Sequence, residues 1–321
     1  MRLLLRLSCV LLLLQVAVTG SNAQGERALL ADAGTAAAET GPSQRSFVFR
    51  SDVEEVQVRF VAIDKKGQPA TSLRAQDVQV ITDGKDPAPI KSFVQLRSAP
   101  VTLGVLIDMS ESIRPEMQLQ ELAFTEGIAD ILEPQRDRSF LVAFSAHVSV
   151  LQGPTSDFAR IKNAIQQPAG SHTLTSLYDA LVQTCRELFG PPHSGLEEHR
   201  ILSLFSDGMD NLSIHSLDDA IDAAVRAGVT IYAVAPENGP FEGRSVLRTL
   251  TERTGGRLEL LKKREQPEQS VASVRTLIDG EYALSFRPPN DQPGEHSVQL
   301  KADLPVVLYA QKEYFVAPQR P

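Results

Sequence analysis

The spacing of apolar and polar residues changes character along the chain. Between Glu54 and Ile63, Val56, Val58, Phe60 and Ala62 alternate with Gln57, Arg59 and Val61. A period of two predicts a half-buried strand. Lys65-Lys66-Gly67 follows as a turn. Val78, Val80 and Thr82 alternate again, Asp83-Gly84 is a hairpin turn pair, and Ile90 to Leu96 predicts a further strand.

From about Val101, apolar runs of strand length alternate with helical spacing. Strands are predicted at Thr102 to Ile107, Phe140 to Phe144, Ile201 to Phe205, Val229 to Ala235 and Leu258 to Leu261. Val148 to Leu151 follows its predecessor so closely that the two must form a hairpin. Helices are predicted over Pro115 to Leu132, Phe158 to Ile165, Leu177 to Phe189, Leu217 to Ala227, Val246 to Thr254 and Glu268 to Ile278. Gly228 and Gly255-Gly256 stop two of them. Strands alternating with helices mean an α/β fold, a mostly parallel sheet covered on both faces. After Gly280 strands return, at Tyr282 to Phe286, Ser297 to Ala302 and Val306 to Phe315. A few strands at either end are marginal alone. The β segments 46–98 and 281–318 are therefore expected to pair into a small β-sandwich or sheet, with an α/β domain (99–280) inserted between them.

The N-terminus adds a compartment. Arg2 and Arg6 precede the apolar run Leu7 to Val18, and Ser21-Asn22-Ala23 offers small residues to a signal peptidase. Residues 1–23 read as a signal peptide cleaved after Ala23. The run is short for a membrane span, and no later segment has transmembrane length, so the expected location is secreted or periplasmic. Residues 24–45 are rich in Gly, Ala, Ser, Glu and Thr and read as a linker. Cys9 leaves with the signal, so Cys185 is the only remaining cysteine and no internal disulfide can form. It reads as a buried helix-face residue.

Composition narrows the partners. Hydrophobic residues at 42% and charged residues at 22% suit a globular core. Losing the signal removes two arginines and no acid, which moves the formal charge from −8 to −10. With no basic stripe, nucleic-acid binding is not expected. Trp is absent and aromatics are 6%, which argues against a carbohydrate-stacking surface.

The candidate chemistry lies where strands end. The first central strand runs into Asp108-Met109-Ser110-Glu111-Ser112, and the strand from Ile201 runs into Ser206-Asp207-Gly208. Between them, Gly170-Ser171-His172-Thr173-Leu174-Thr175-Ser176 leads into a helix. Ligands of open α/β sheets sit beyond the carboxyl ends of strands. A small hard cation wants about six oxygen ligands, some of them water. Serine hydroxyls two and four positions after a strand-end aspartate, a threonine hydroxyl and a second aspartate meet that demand.

This three-part pattern resembles the metal-ion-dependent adhesion site of von Willebrand factor type A and integrin inserted domains, over roughly Val101 to Asp279. The resemblance implies a doubly wound six-stranded sheet of order 3-2-1-4-5-6, with Asp108 and Asp207 on adjacent strands. It makes Ser110 and Ser112 direct ligands of Mg²⁺ or Mn²⁺, and Asp108 and Asp207 ligands directly or through water. Thr175 is the preferred threonine, because Thr175-Ser176-Leu177-Tyr178-Asp179 aligns with the related proteins, and Thr173 is the alternative; the usual Gly-Gly-Thr is replaced here by Ser-His-Thr-Leu-Thr. Val61 to Thr82 with Asp83-Gly84-Lys85, and Leu177-Tyr178-Asp179-Ala180-Leu181, are similar to the von Willebrand-related secreted proteins of Acidobacteria. The implied partner is a protein presenting an exposed Asp or Glu.

Plainer roles exist for each part alone. Ser112 can cap the following helix, and Asp207-Gly208 can be a turn. Asp210 can support the site or belong to a solvated turn, His172 reads as a loop hydrogen-bonder, and Asn211-Leu212-Ser213 matches a glycosylation sequon. The alternatives to a non-enzymatic adhesion module are a metal-dependent hydrolase or phosphotransferase and a structural envelope component with an unused site. The enzyme needs a nucleophile or general base beside the metal. Neither a second aspartate after Asp108-Met109 nor a Gly-rich phosphate loop with Lys is present.

Overall fold

The computed structural model describes residues 55–85, 87–111, 114–166, 174–190, 198–261, 268–290 and 292–316. The expected signal peptide and linker, with Ser112, His172 and Thr173, lie outside them. Among the described residues no helix is long and apolar enough to cross a membrane.

The chain opens with β1 (Val56–Asp64), β2 (Val78–Thr82) and β3 (Ile90–Gln95). It then builds the central domain: β4 (Val101–Asp108), α1 (Arg114–Ile131), β5 (Arg138–Phe144), β6 (Val148–Thr155), α2 (Phe158–Ile165), α3 (Leu177–Gln183), β7 (His199–Phe205), α4 (Leu217–Arg226), β8 (Thr230–Pro236), α5 (Phe241–Arg253), β9 (Arg257–Leu261) and α6 (Glu268–Gly280). The helix expected over Leu177 to Phe189 is α only as far as Gln183, and Thr184–Phe189 widens to π-helical turns. The chain closes with β10 (Glu281–Phe286), β11 (Gly294–Ala302), β12 (Val306–Ala310) and β13 (Glu313–Val316).

The central sheet has the order β6-β5-β4-β7-β8-β9. All its pairs are parallel except the β5–β6 hairpin. Numbered along the central domain, this is the expected 3-2-1-4-5-6. Pleating sends alternate residues of β4 to opposite faces. Leu103, Val105 and Ile107 meet Met117, Phe124 and Ile128 of α1 and Val274 and Leu277 of α6. Leu106 meets Leu177 and Leu181 of α3 and Ile221 of α4 on the other face. Burial on both sides explains the unbroken apolar runs of the parallel strands. Each such side chain contributes about 1.5–3 kcal/mol by leaving water. The helix ends follow local chemistry too. Ser216 Oγ accepts the Asp219 N–H at 3.2 Å, and the Asp219 carboxylate accepts the Ser216 N–H at 2.8 Å, a capping box that starts α4.

Strands from both ends of the chain share two further sheets, β12-β1-β10-β3 and β13-β11-β2. Their common core holds Val58, Phe60 and Ala62 of β1, Val78 and Val80 of β2, Leu284 and Phe286 of β10, and Val298 of β11. Phe60 stacks on Tyr282 with ring centroids 5.3 Å apart. The other face of β1 presents Val61 and Ile63 to the core shared with α6. Two expectations are corrected. Val306 to Phe315 is not one strand. It breaks at Gln311-Lys312, so that β12 joins one sheet and β13 the other. The Asp83-Gly84 turn forms, with Asp83 at φ 50, but returns only a single bridge, Val80 to Ala88, before β3 crosses to the opposite sheet.

The chain enters and leaves the central domain at one place. The Leu96 N–H donates to the Glu281 carbonyl at 3.0 Å, and Leu96 O accepts from His199 Nε2 at 2.6 Å. His199 Nδ1 meets the buried Glu281 carboxylate, which also lies 3.8 Å from Arg59. No connecting residue separates α6 from β10.

Candidate metal centre

β4 and β7 are parallel neighbours with Ile107 opposite Phe205. Their next residues, Asp108 and Ser206, therefore emerge side by side. Asp108 is fully buried and Asp207 is 2% exposed. The Asp108 carboxylate accepts the Ser110 N–H at 2.9 Å on one oxygen and the Ser206 hydroxyl at 2.8 Å on the other. Ser206 Oγ in turn accepts the Gly208 N–H at 3.0 Å, and Asp207 accepts the Met209 N–H at 3.0 Å. Ser206 thus ties the two strand ends together. Nothing in the local sequence of Ser206-Asp207-Gly208 marks Ser206 for this role.

Backbone packing fixes the turn after β7. Gly208 has φ +80, and a Cβ there would lie 2.2 Å from the Gly243 carbonyl oxygen. A Cβ on Gly243 would lie 2.0 Å from the Asp207 carbonyl oxygen. The start of α5 can come this close to Asp207 only because both positions are glycine.

The threonine loop is held from two sides. The Thr175 N–H donates to Asn211 Oδ1 at 2.8 Å, and the Thr175 carbonyl accepts from the N–H groups of Asn211 and Leu212 at 3.0 and 3.1 Å. Ser176 donates both its N–H and its hydroxyl to the Ser145 carbonyl, each at 2.8 Å. Ser145 follows Phe144, whose carbonyl accepts the Met109 N–H at 2.7 Å. Asp210 accepts from the Tyr178 N–H at 3.1 Å and the Ser213 hydroxyl at 2.5 Å. Its role is to clamp the loop after β7 to the first turn of α3. Asn211, read from sequence as part of a sequon, is a second clamp. Neither role has a local sequence signal, because each depends on a partner about 35 positions away.

Of the expected ligands, the structure brings Asp108, Ser110 and Asp207 together and tethers Thr175 to the loop that follows Asp207. Burial pushes the Asp108 carboxyl up to about 6, bonds from the Ser110 N–H and from the Ser110 and Ser206 hydroxyls oppose the rise, and the charge of Asp207 adds to it. Buried carboxylates that repel one another are costly unless a cation joins them. Among the described residues no three of His, Cys, Asp or Glu converge. The donor set is therefore hydroxyl and carboxylate oxygen, which fits a hard cation rather than a soft one. Cys185 plays no part. It is buried, and burial raises its thiol to about 12.

Residues 103–258 match the family model for the von Willebrand factor type A domain. No curated protein matches the chain. Among solved structures, proximal thread matrix protein 1 from the mussel byssus is similar at 18% identity and a TM-score of 0.49, over 61% of this chain and 50% of that one. The same mussel protein with a zinc-occupied MIDAS motif is similar at 17% identity and a TM-score of 0.48, over 61% of this chain and 49% of that one. BatB from Bacteroides thetaiotaomicron is similar at 15% identity and a TM-score of 0.43, over 55% of this chain and 96% of that one. The chain spans about half the length of the mussel protein. The family match begins in β4 and ends in β9, so it reaches all six strands of the central sheet and takes in both aspartates: residues 103–258 are a von Willebrand factor type A domain.

Proposed function

We propose that this is a secreted or periplasmic protein-binding module that recognises a partner's carboxylate through a divalent cation and turns nothing over. The observation that carries the reading is the pair of carboxylates, Asp108 and Asp207, buried at adjacent strand ends among hydroxyl oxygens. Asp108, Ser110, Ser112, Thr175 and Asp207 would hold Mg²⁺ or Mn²⁺. When bound, the cation supplies an electrophilic position for one further oxygen. Ser206 and the Ser110 N–H orient Asp108, Gly208 and Gly243 seat Asp207, and Asn211 positions Thr175.

The surroundings suit a protein partner. Leu174, Met209, Leu212, Ile214 and Phe241 are exposed by 45%, 38%, 42%, 94% and 72%. All lie on the loops and helix start that carry the site. Apolar side chains gathered in this way mark contact surfaces. Calorimetry with Mg²⁺ and Mn²⁺ tests the cation, and one site is expected, lost in Asp108→Ala and weakened without unfolding in Ser110→Ala and Thr175→Val. Affinity capture from the native envelope, with Mg²⁺ and with chelator, tests the partner. A partner that binds equally well with chelator and to Asp108→Ala would place recognition elsewhere.

A further inference from the structure

The edges of the β-sandwich are not treated alike. β3 and β12 are the two outer strands of one sheet. β3 carries Lys91, and its pairing with β10 is irregular at Ser285/Phe286. A charge and a bulge both discourage a further strand. β12 is Val306-Val307-Leu308-Tyr309-Ala310, without charge or proline, and it pairs with β1 in unbroken antiparallel register. Among the described residues its other edge carries no strand. An uncharged, regular edge is what an added strand needs, and soluble proteins seldom leave one open.

That edge borders a cleft of about 470 Å³. Leu308, Tyr309 and Ala310 line one side, and the start of β9 lines the other. β9 is itself the last strand of the central sheet. The two strands meet at one end through the Thr254–Gln311 bridge. There a Cβ on Gly255 would lie only 2.7 Å from the Gln311 nitrogen. Away from that bridge the cleft lies between them.

The charge of the cleft is opposite to that of the chain. Arg248, Arg257 and Lys312 line it, against a formal charge of −8 for the whole sequence. Lys312 is paired with Glu252 at 2.7 Å. Arg248 and Arg257 are exposed, and among the described residues neither guanidinium is engaged in an ion pair or hydrogen bond. An open strand edge beside uncommitted guanidinium groups defines both the shape and the charge of a ligand.

We propose that this cleft takes an extended acidic peptide segment, which adds as a strand to the open edge of β12 while its carboxylates pair with Arg248 and Arg257. The site is separate from the candidate metal centre and does not depend on it. Main-chain bonds would supply affinity, and the guanidinium groups would select acidic side chains.

The test uses the full chain and a dye-labelled peptide of alternating Glu and Val, followed by fluorescence anisotropy at low salt. Binding is expected, weakening as salt rises. Arg248→Gln combined with Arg257→Gln should weaken it at least about fivefold, since exposed charge pairs are individually modest. A Lys-Val peptide should not bind. The Glu-Val peptide N-methylated at alternate residues lacks the donors for strand pairing and should lose binding with all carboxylates intact. Chelator and Asp108→Ala should change nothing. The proposal is overturned if the Glu-Val peptide does not bind, or if the N-methylated peptide binds equally well. It is also overturned if the double Arg variant binds as the parent does, or if chelator abolishes binding. A chain dimer in sedimentation that the peptide cannot dissociate would assign the edge to a second copy instead.

Discussion

Replacing Asp108 by Asn separates what the site costs from what it does. A carboxyl ordinarily near 3.8 but held at about 6 by burial is disfavoured as a charge. At neutral pH the ionised group destabilises the metal-free fold by about 3 kcal/mol, at 1.36 kcal/mol per pKa unit. The sign follows from the raised value. The favourable contribution is full below 3.8, where the group is protonated in both states, and is lost as pH rises through about 6. Asn keeps the shape, still accepts the Ser110 N–H and leaves Ser206 able to turn and accept. Asp108→Asn should therefore be more stable than the parent in chelator at pH 7, by up to about 3 kcal/mol, or about 5–10 °C in melting midpoint. It should also lose the stabilisation that Mg²⁺ or Mn²⁺ gives the parent by mass action. Circular dichroism or dye-based melting reads both effects, because Trp is absent. An Asn variant that melts below the parent in chelator would refute the electrostatic reasoning. One that still gains stability from the cation would refute the ligand assignment.

Gly208→Ala should lower stability by about 2–4 kcal/mol, combining positive φ with overpacking, and weaken cation binding, as read by urea denaturation and calorimetry. His296 is raised above 6.5 by the Gln292 carbonyl and Asp83, so its contribution is full below 6.5 and lost as pH rises through its folded value. A His296→Gln variant should lack that alkaline-side decline in urea midpoint. Asp83 is lowered by His296, so its contribution should instead fall away in acid, below 3.8. Cys185 should resist a thiol reagent in the native protein and react on unfolding, and rapid native labelling would contradict its burial.

The mostly parallel, doubly covered sheet was legible because its inner strands β4, β5, β7 and β8 are buried on both faces and their apolar runs cannot be mistaken for alternation. The strand order, and with it the adjacency of Asp108 and Asp207, came from the family resemblance and not from the apolar pattern. The break at Gln311-Lys312 was not legible, because Val306 to Phe315 contains no Gly or Pro. It bends there because the Thr254–Gln311 bridge and the bond from the Lys312 N–H to the Arg253 carbonyl at 3.2 Å hold it against the end of α5. Asn211, Asp210 and Ser176 were opaque for the same reason. Each does its work across loops distant in sequence, and no local spacing encodes that.

The single place where the chain enters and leaves the central domain sets an order of assembly. Gln95 and Tyr282 are strand partners although roughly 190 positions lie between them, and closing such a loop in an unfolded chain costs about 4–5 kcal/mol. A folded central domain holds its two ends at Val101 and Gly280, next to the Leu96–Glu281 bond, so most of that entropy would already be spent. β1, β3 and β10 can then pair as neighbours. The sandwich should therefore form last and come apart first, with the central domain acting as its template. Hydrogen exchange at the β1–β10 pairs should report openings in which β4 and β7 stay protected.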